Sequence, residues 1–206
     1  FHKNELLEGV ERELKIPLQT GKVITITGAR RTGKTYLMYQ LMKELLKKIK
    51  KEQIIYINFE DERIEPKKET LHFILEAYFE LYPDNKNLYF FFDEIEKIEG
   101  WELFIRRVYD TISKNIFITG SSSKLLVKEI ATSLRGRAIN YELYPFSFKE
   151  FLKFHNINCK DVYALKDKAR VLALFEAYVK EGGFPETLTM DNELRKKTLQ
   201  SYVESM

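Results

Sequence analysis

The sequence predicts an α/β fold, a parallel sheet of about five strands with helices on both faces, followed by a smaller all-helical part. Three observations carry this. Apolar runs of strand length recur at 23–27, 53–59, 88–92 and 115–119, and segments of helical periodicity separate them. Most of these runs are continuously apolar, as in strands buried on both faces and joined by right-handed helical crossovers. From Ser147 onward only helical periodicity remains. The expected organisation is a core over residues 1–145 and a helical region over 146–206, which 206 residues are enough to build.

The elements follow in order. Leu6, Leu7, Val10 and Leu14 recur at helical spacing, so a helix is expected over 3–14, with Pro17 ending it. The first strand is expected at 23–27. After a glycine-rich turn, Leu37, Met38, Leu41, Met42, Leu45, Leu46 and Ile49 form one apolar stripe of an amphipathic helix. Ile54-Ile55-Tyr56-Ile57 reads as a doubly buried strand; Glu60 and Asp61 after it either face a ligand or form a solvated acidic turn. A helix over 70–82 is broken by Pro83-Asp84-Asn85. The aromatic strand ending in Asp93 and Glu94 follows, then a helix over 101–112. The strand at 115–119 runs into Gly120-Ser121-Ser122-Ser123, and a helix is expected over 124–134. Ile139, Tyr141 and Leu143 alternate with polar residues, as in a half-exposed edge strand. Helices are expected at 148–154, 171–179 and 194–203, punctuated by Gly182-Gly183-Phe184-Pro185.

Composition narrows the function classes. Hydrophobic residues at 44% and charged residues at 32% describe an ordinary globular protein. No apolar run approaches the roughly 20 residues that span a bilayer. The polar start, Phe1-His2-Lys3-Asn4-Glu5, lacks a secretory apolar core, and a first residue other than Met suggests an incomplete or processed chain. Cys159 is the only cysteine, which excludes an internal disulfide and argues against a Cys-based metal site. A cytoplasmic protein without a membrane association is expected. The net charge of +3 is too small to argue nucleic-acid binding, and Lys43, Lys47, Lys48, Lys50 and Lys51 read as a solvated helix face. His2, His72 and His155 lack metal-ligand spacing.

The first strand leads directly into Gly28-x-x-x-x-Gly33-Lys34-Thr35, and a helix follows. Gly28 lets the chain leave the strand in a conformation other residues avoid, and Gly33 allows close approach to an anion. Backbone N–H groups across Gly28, Ala29, Arg30, Arg31, Thr32, Gly33, Lys34, Thr35 and Tyr36 would converge on phosphate oxygens, reinforced by the helix dipole. Lys34 would reach the β- and γ-phosphates, and the Thr35 hydroxyl would hold Mg²⁺. A chance Gly-Lys-Thr turn is the alternative; the strand–turn–helix context selects nucleotide binding.

Asp93 and Glu94, about 60 residues later, supply what a phosphate cradle lacks. Asp93 would fix Mg²⁺, and Glu94 would act as base or water orienter, two tasks that suit hydrolysis. An acidic turn after a buried strand is the alternative. Ser121, with Thr119 and Ser122 as alternatives, would bond the γ-phosphate or the attacking water, or Ser121 to Ser123 merely cap the next helix. Arg135 and Arg137 either reach a neighbouring subunit's phosphate or are plain surface arginines. Trp101 and the run 89–92 read as core rather than as a base-stacking platform.

Taken together, these motifs resemble those of the archaeal-type AAA+ ATPases. The likeness is carried by Gly28-Ala-Arg-Arg-Thr-Gly-Lys-Thr35, Phe92-Asp-Glu-Ile95 followed by Trp101, Ile118-Thr-Gly-Ser-Ser122, Leu134-Arg-Gly-Arg137, Leu143-Tyr-Pro-Phe-Ser-Phe-Lys-Glu-Phe151 and Gly182-Gly-Phe-Pro-Glu186. The resemblance implies a P-loop core of strand order 5-1-4-3-2 followed by a helical lid. Asp93 and Glu94 would be the Walker B pair, Ser121 near a sensor position, and Arg135 or Arg137 where related ATPases carry a finger. Similar proteins usually continue into a winged-helix-like and a nuclease-like region, so this chain, ending within the helical part, reads as a fragment; Arg195 is a guess for a lid arginine. The expected activity is Mg²⁺-dependent ATP binding and hydrolysis coupled to conformational change on a macromolecular partner, DNA or protein, with a homo-oligomer as a candidate state. The alternatives are an ATP-binding switch with little hydrolysis and a P-loop kinase for a small acceptor.

Overall fold

Five strands form where the apolar runs lie. They are β1 (Val23–Thr27), β2 (Ile54–Asn58), β3 (Tyr89–Asp93), β4 (Asn115–Gly120) and β5 (Ala138–Glu142). The computed structural model describes residues 9–121, 132, 134, 136–157 and 165–204, the side chains of 165–167 excepted. The expected helix over 124–134 lies outside the described residues apart from Thr132 and Leu134, as do Ser122, Arg135 and Cys159. The strands pair in the order β2-β3-β4-β1-β5, every pair parallel, which is the expected order read from the other edge. Thr27 is in register with Gly120 and Phe92 with Ile118, so the carboxyl ends of β1, β4 and β3 share one edge of the sheet.

The chain divides into two compact units. The first comprises 1–7, 16–28 and 34–142; the second comprises 8–15, 29–33 and 143–206. In the first unit lie the helices α1 (Lys34–Leu46), α2 (Lys68–Leu81) and α3 (Trp101–Thr111). β1 and β3 are buried along their whole length. Alternation along β3 sends Phe91 to one face, where it stacks on Phe117 with ring centroids 4.6 Å apart. Phe90 and Phe92 occupy the other face, where Phe92 packs edge-on to Phe104 of α3 at 5.7 Å. The aromatic run is therefore core, and Trp101 is buried beside it in the same cluster.

The second unit holds α4 (Phe148–Phe154), α5 (Leu165–Glu181) and α6 (Asn192–Glu204). Ser147 caps α4 reciprocally with Glu150: its hydroxyl accepts the Glu150 N–H at 3.2 Å, and its own N–H donates to Glu150 Oε2 at 2.9 Å. Gly183 admits no side chain, since a Cβ there would lie 2.3 Å from the Phe146 carbonyl oxygen.

Two expectations fail. The described part of the opening segment, residues 9–15, is not helical. Arg12 is buried there on partners distant in sequence, and Val10 packs against Phe146, Phe151 and Leu188. Those tertiary contacts override a local periodicity. β2 is an edge strand, so only Ile54 and Ile55 are buried and Tyr56 to Asn58 are half-buried.

Phe92 is fully buried among Phe59, Phe90 and Phe104. Phe92→Ala is expected to cost about 3–5 kcal/mol in chemical denaturation; a loss below about 1 kcal/mol would contradict the packing described.

Candidate functional site

In the first unit, the carboxyl edge of the sheet gathers charge in a buried place. Lys34 opens α1 and is 6% exposed; its Nζ donates to the Gly28 carbonyl oxygen at 3.2 Å and lies 3.4 Å from Glu94 Oε1. Glu94, 8% exposed, follows β3 in left-handed backbone, φ 52° and ψ 43°. That conformation costs a non-glycine residue of order 1–3 kcal/mol and persists only when the surroundings impose it. Its other oxygen, Oε2, is buried without a hydrogen-bond partner. Burial pushes the Glu94 carboxyl above its ordinary value; Lys34 opposes that, and the charges of Asp93, Glu96 and Glu60 add to it.

Asp93 is fully buried, and its carboxylate is clamped on both oxygens. Thr119 of β4 donates its hydroxyl to Oδ1, and Tyr56 of β2 donates to Oδ2 at 3.0 Å. The same Thr119 oxygen accepts the Glu94 N–H at 2.9 Å, so one hydroxyl fixes both acidic residues. Burial and the charge of Asp93 raise the Tyr56 phenol far above its ordinary range, which keeps it a donor. Tyr56 is in turn edge-on to Tyr39 of α1 at 5.5 Å, and Tyr39 lies 6.0 Å from the ring of Tyr36. Thr35 and Tyr36 sit in the first turn of α1, half-buried and exposed respectively.

Lys34, Gly28, Asp93, Glu94 and Thr119 are thus brought together; Ser121 and Arg137 are held by partners of their own. Ser121 gives both its N–H and its hydroxyl to Glu96 Oε1, at 3.0 and 2.8 Å. Arg137 immediately precedes β5 at the amino edge of the sheet, where its carbonyl accepts the Val23 N–H. Its guanidinium is paired with Asp110 at 3.1 Å and lies over the Tyr109 ring. Glu60 lies 3.8 Å from Lys97, and Asp61 pairs with Arg63 in a solvent-facing turn.

In the second unit, the loop residues Ala29, Arg31 and Thr32 have their own partners. Arg31 (φ 67°) and Gly33 (φ 94°) are left-handed, and the Thr32 hydroxyl donates to the Ala29 carbonyl at 2.9 Å. Arg31 Nη1 bonds both oxygens of Glu186 at 3.0 Å, and Tyr202 donates to Glu186 Oε2 at 2.7 Å. Arg195 is held by Glu181 and by the carbonyls of Thr187 and Met190.

A family model described as "AAA domain" matches residues 20–152, about two thirds of the chain. The chain belongs to the AAA domain family. Membership supports an ATP-binding, ATPase-like function for this AAA chain. An uncharacterized protein of Methanocaldococcus jannaschii is 45% identical over 96% of the chain, and the match covers 43% of that protein. An uncharacterized protein of Haemophilus influenzae is 34% identical over 91% of the chain and 45% of its own length. The AAA chain thus spans less than half the length of these curated relatives. Among solved structures, the Thermotoga maritima RuvB Holliday junction branch migration motor matches at TM-score 0.48 and 16% identity, over 87% of this chain and 61% of that one. Cdc6p from Pyrobaculum aerophilum matches at 0.44 and 17%, over 65% and 41%. The strand order, rather than these likenesses, defines the fold.

Sequence reasoning missed Tyr56 and Glu96 in the first unit and, separately, Arg12 in the second, where it bonds the Thr32 carbonyl. Only strand order brings Tyr56 to Asp93, since β2 and β3 are adjacent in the sheet but 37 residues apart along the chain at these two positions. Among the described residues, no helix is long and apolar enough to cross a membrane, and no cluster of three or more His, Cys, Asp or Glu could hold a metal ion.

Because the folded Glu94 holds its proton more tightly than the unfolded chain does, stability falls as pH rises through the window from its ordinary value of 4.5 up to the raised one. Glu94→Gln lacks that loss. Its unfolding midpoint is expected to gain on wild type as the pH rises above the ordinary carboxyl value of 4.5, with the gap vanishing at the acid end. A gap independent of pH would contradict the raised carboxyl.

Proposed function

We propose that this AAA chain binds ATP with Mg²⁺ and hydrolyses it, coupling nucleotide state to a conformational change on a macromolecular partner. The observation that carries the reading is the convergence of Lys34 and Glu94, 3.4 Å apart and buried, where β1 and β3 end. Open parallel sheets take their ligands at strand carboxyl ends. The backbone N–H groups from Gly28 to Tyr36 would hold the phosphates, and Lys34 would neutralise the β- and γ-oxygens.

The donor set fits Mg²⁺: a hydroxyl from Thr35 and a carboxylate from Asp93 are hard oxygen ligands, and this ion binds through few protein groups together with phosphates and waters. When bound, the ion supplies charge neutralisation at the phosphoryl oxygens. Glu94 is the base, taking the proton of the water that attacks the γ-phosphorus. Its raised carboxyl is closer to the working pH than an ordinary glutamate's, and its buried Oε2 has acceptor capacity to spare. Thr119 and Tyr56 orient Asp93, and Thr119 also fixes the Glu94 backbone. Ser121 acts as a sensor of the γ-phosphate once released from Glu96. Arg137, and Arg135 outside the described residues, are finger candidates acting on a neighbouring copy in a homo-oligomer. Residues 146–206 serve as a helical lid, the partner is DNA or protein, and the setting is the cytoplasm.

One observation favours the switch reading: Glu94 already occupies Lys34, so both groups must part before phosphate is engaged. Steady-state phosphate release by wild type separates the two readings, because a switch binds ATP and releases almost none. Lys34→Ala is expected to weaken ATP binding about tenfold or more, the worth of one charged hydrogen-bond partner at roughly 1.5–3 kcal/mol. Unchanged affinity by calorimetry would remove the basis of the reading.

A further inference from the structure

Arg12, ahead of β1, is 5% exposed and carries a charge that burial must compensate. Its Nε donates to Glu150 Oε1 at 2.9 Å, Nη1 to the Thr32 carbonyl at 2.7 Å and Nη2 to the Tyr144 carbonyl at 2.7 Å. The guanidinium lies 5.0 Å from the centre of the Phe146 ring. Glu150 is itself engaged on both oxygens: Oε1 also accepts the Glu13 N–H at 2.6 Å, and Oε2 accepts the Ser147 N–H at 2.9 Å. The ion pair accounts for the burial of Arg12. It does not account for the fork reaching into the glycine-rich turn.

Thr32 is fully buried, and its carbonyl faces Arg12. No peptide bond among the described residues is cis, so the planar peptide between Thr32 and Gly33 sends its C=O and N–H in opposite directions. Fixing the carbonyl on Arg12 therefore turns the Gly33 N–H to the opposite side. Arg12 Nη1 also stands 3.4 Å from where a Cβ on Gly33 would be, at a residue with φ 94°.

We propose that Arg12 is a positioning residue for phosphate binding: by capturing the Thr32 carbonyl it aims the Gly33 amide at the anion. This rests on the nucleotide reading above. Lysine at this position keeps the charge for Glu150 but replaces a planar fork with a point charge, which cannot span a carboxylate and two carbonyls together.

The test compares wild type, Arg12→Lys and the double variant Arg12→Met with Glu150→Gln, which removes both charges and leaves neither buried alone. Each is titrated with ATP and Mg²⁺ by calorimetry, with the unfolding midpoint measured alongside. Both variants are expected to keep one site per chain while Kd rises about tenfold, the value of one well-aimed donor to a charged acceptor. A merely structural loss would lower the fraction of competent sites and leave the Kd of the folded fraction unchanged, and that result overturns the proposal. Wild-type affinity in folded variants also overturns the role of Arg12 and leaves the nucleotide site standing. Absence of ATP binding by wild type overturns both. If the double variant does not fold, Arg12→Lys decides alone.

Discussion

The structure of the site depends on a buried ammonium having somewhere to put its charge. Lys34 is drawn into the carboxyl edge of the sheet by its position at the start of α1, and removal from water is expensive unless an anion meets it. Glu94 meets it, and in doing so is itself desolvated, with one oxygen left unbonded. The pair is incompletely satisfied on the carboxylate side. Such an arrangement is a poor device for stability, but it suits a site that must exchange one anion for another.

Everything around the pair restricts its freedom. Glu94 is forced into left-handed backbone, and the Thr119 hydroxyl holds its amide while bonding Asp93. The Asp93 carboxylate is fixed from both neighbouring strands, by Thr119 on β4 and Tyr56 on β2. Strain and buried charge are tolerated here because the aromatic core beneath, from Phe90 to Phe92 with Phe117, is tightly packed and fixes where β3 ends.

Much of this was legible in the sequence, for reasons that also mark the limits. Continuous apolar runs reveal strands because a parallel sheet buries both faces, and β1, β3 and β4 behave so. β2 shows the weakness of that rule: its run looks the same, yet strand order leaves it at the edge. Gly28, Lys34, Asp93 and Glu94 stand out as candidates in the sequence because each sits at a strand end, and the fold brings Lys34 beside Gly28 and Glu94. Tyr56 and Arg12 do not stand out, because each acts on a partner that only the fold brings near. The opening segment misled for the same reason, since a periodic stripe of leucines and valine carries no trace of Arg12's distant carbonyl partners.

The most direct measurement is made on Glu94→Gln, with ATP binding by calorimetry and phosphate release followed on the same preparation. If Glu94 is the base, the variant binds ATP at least as tightly as wild type and releases phosphate at least roughly 100-fold more slowly. Phosphate release at the wild-type rate, or loss of ATP binding together with hydrolysis, would contradict the assignment.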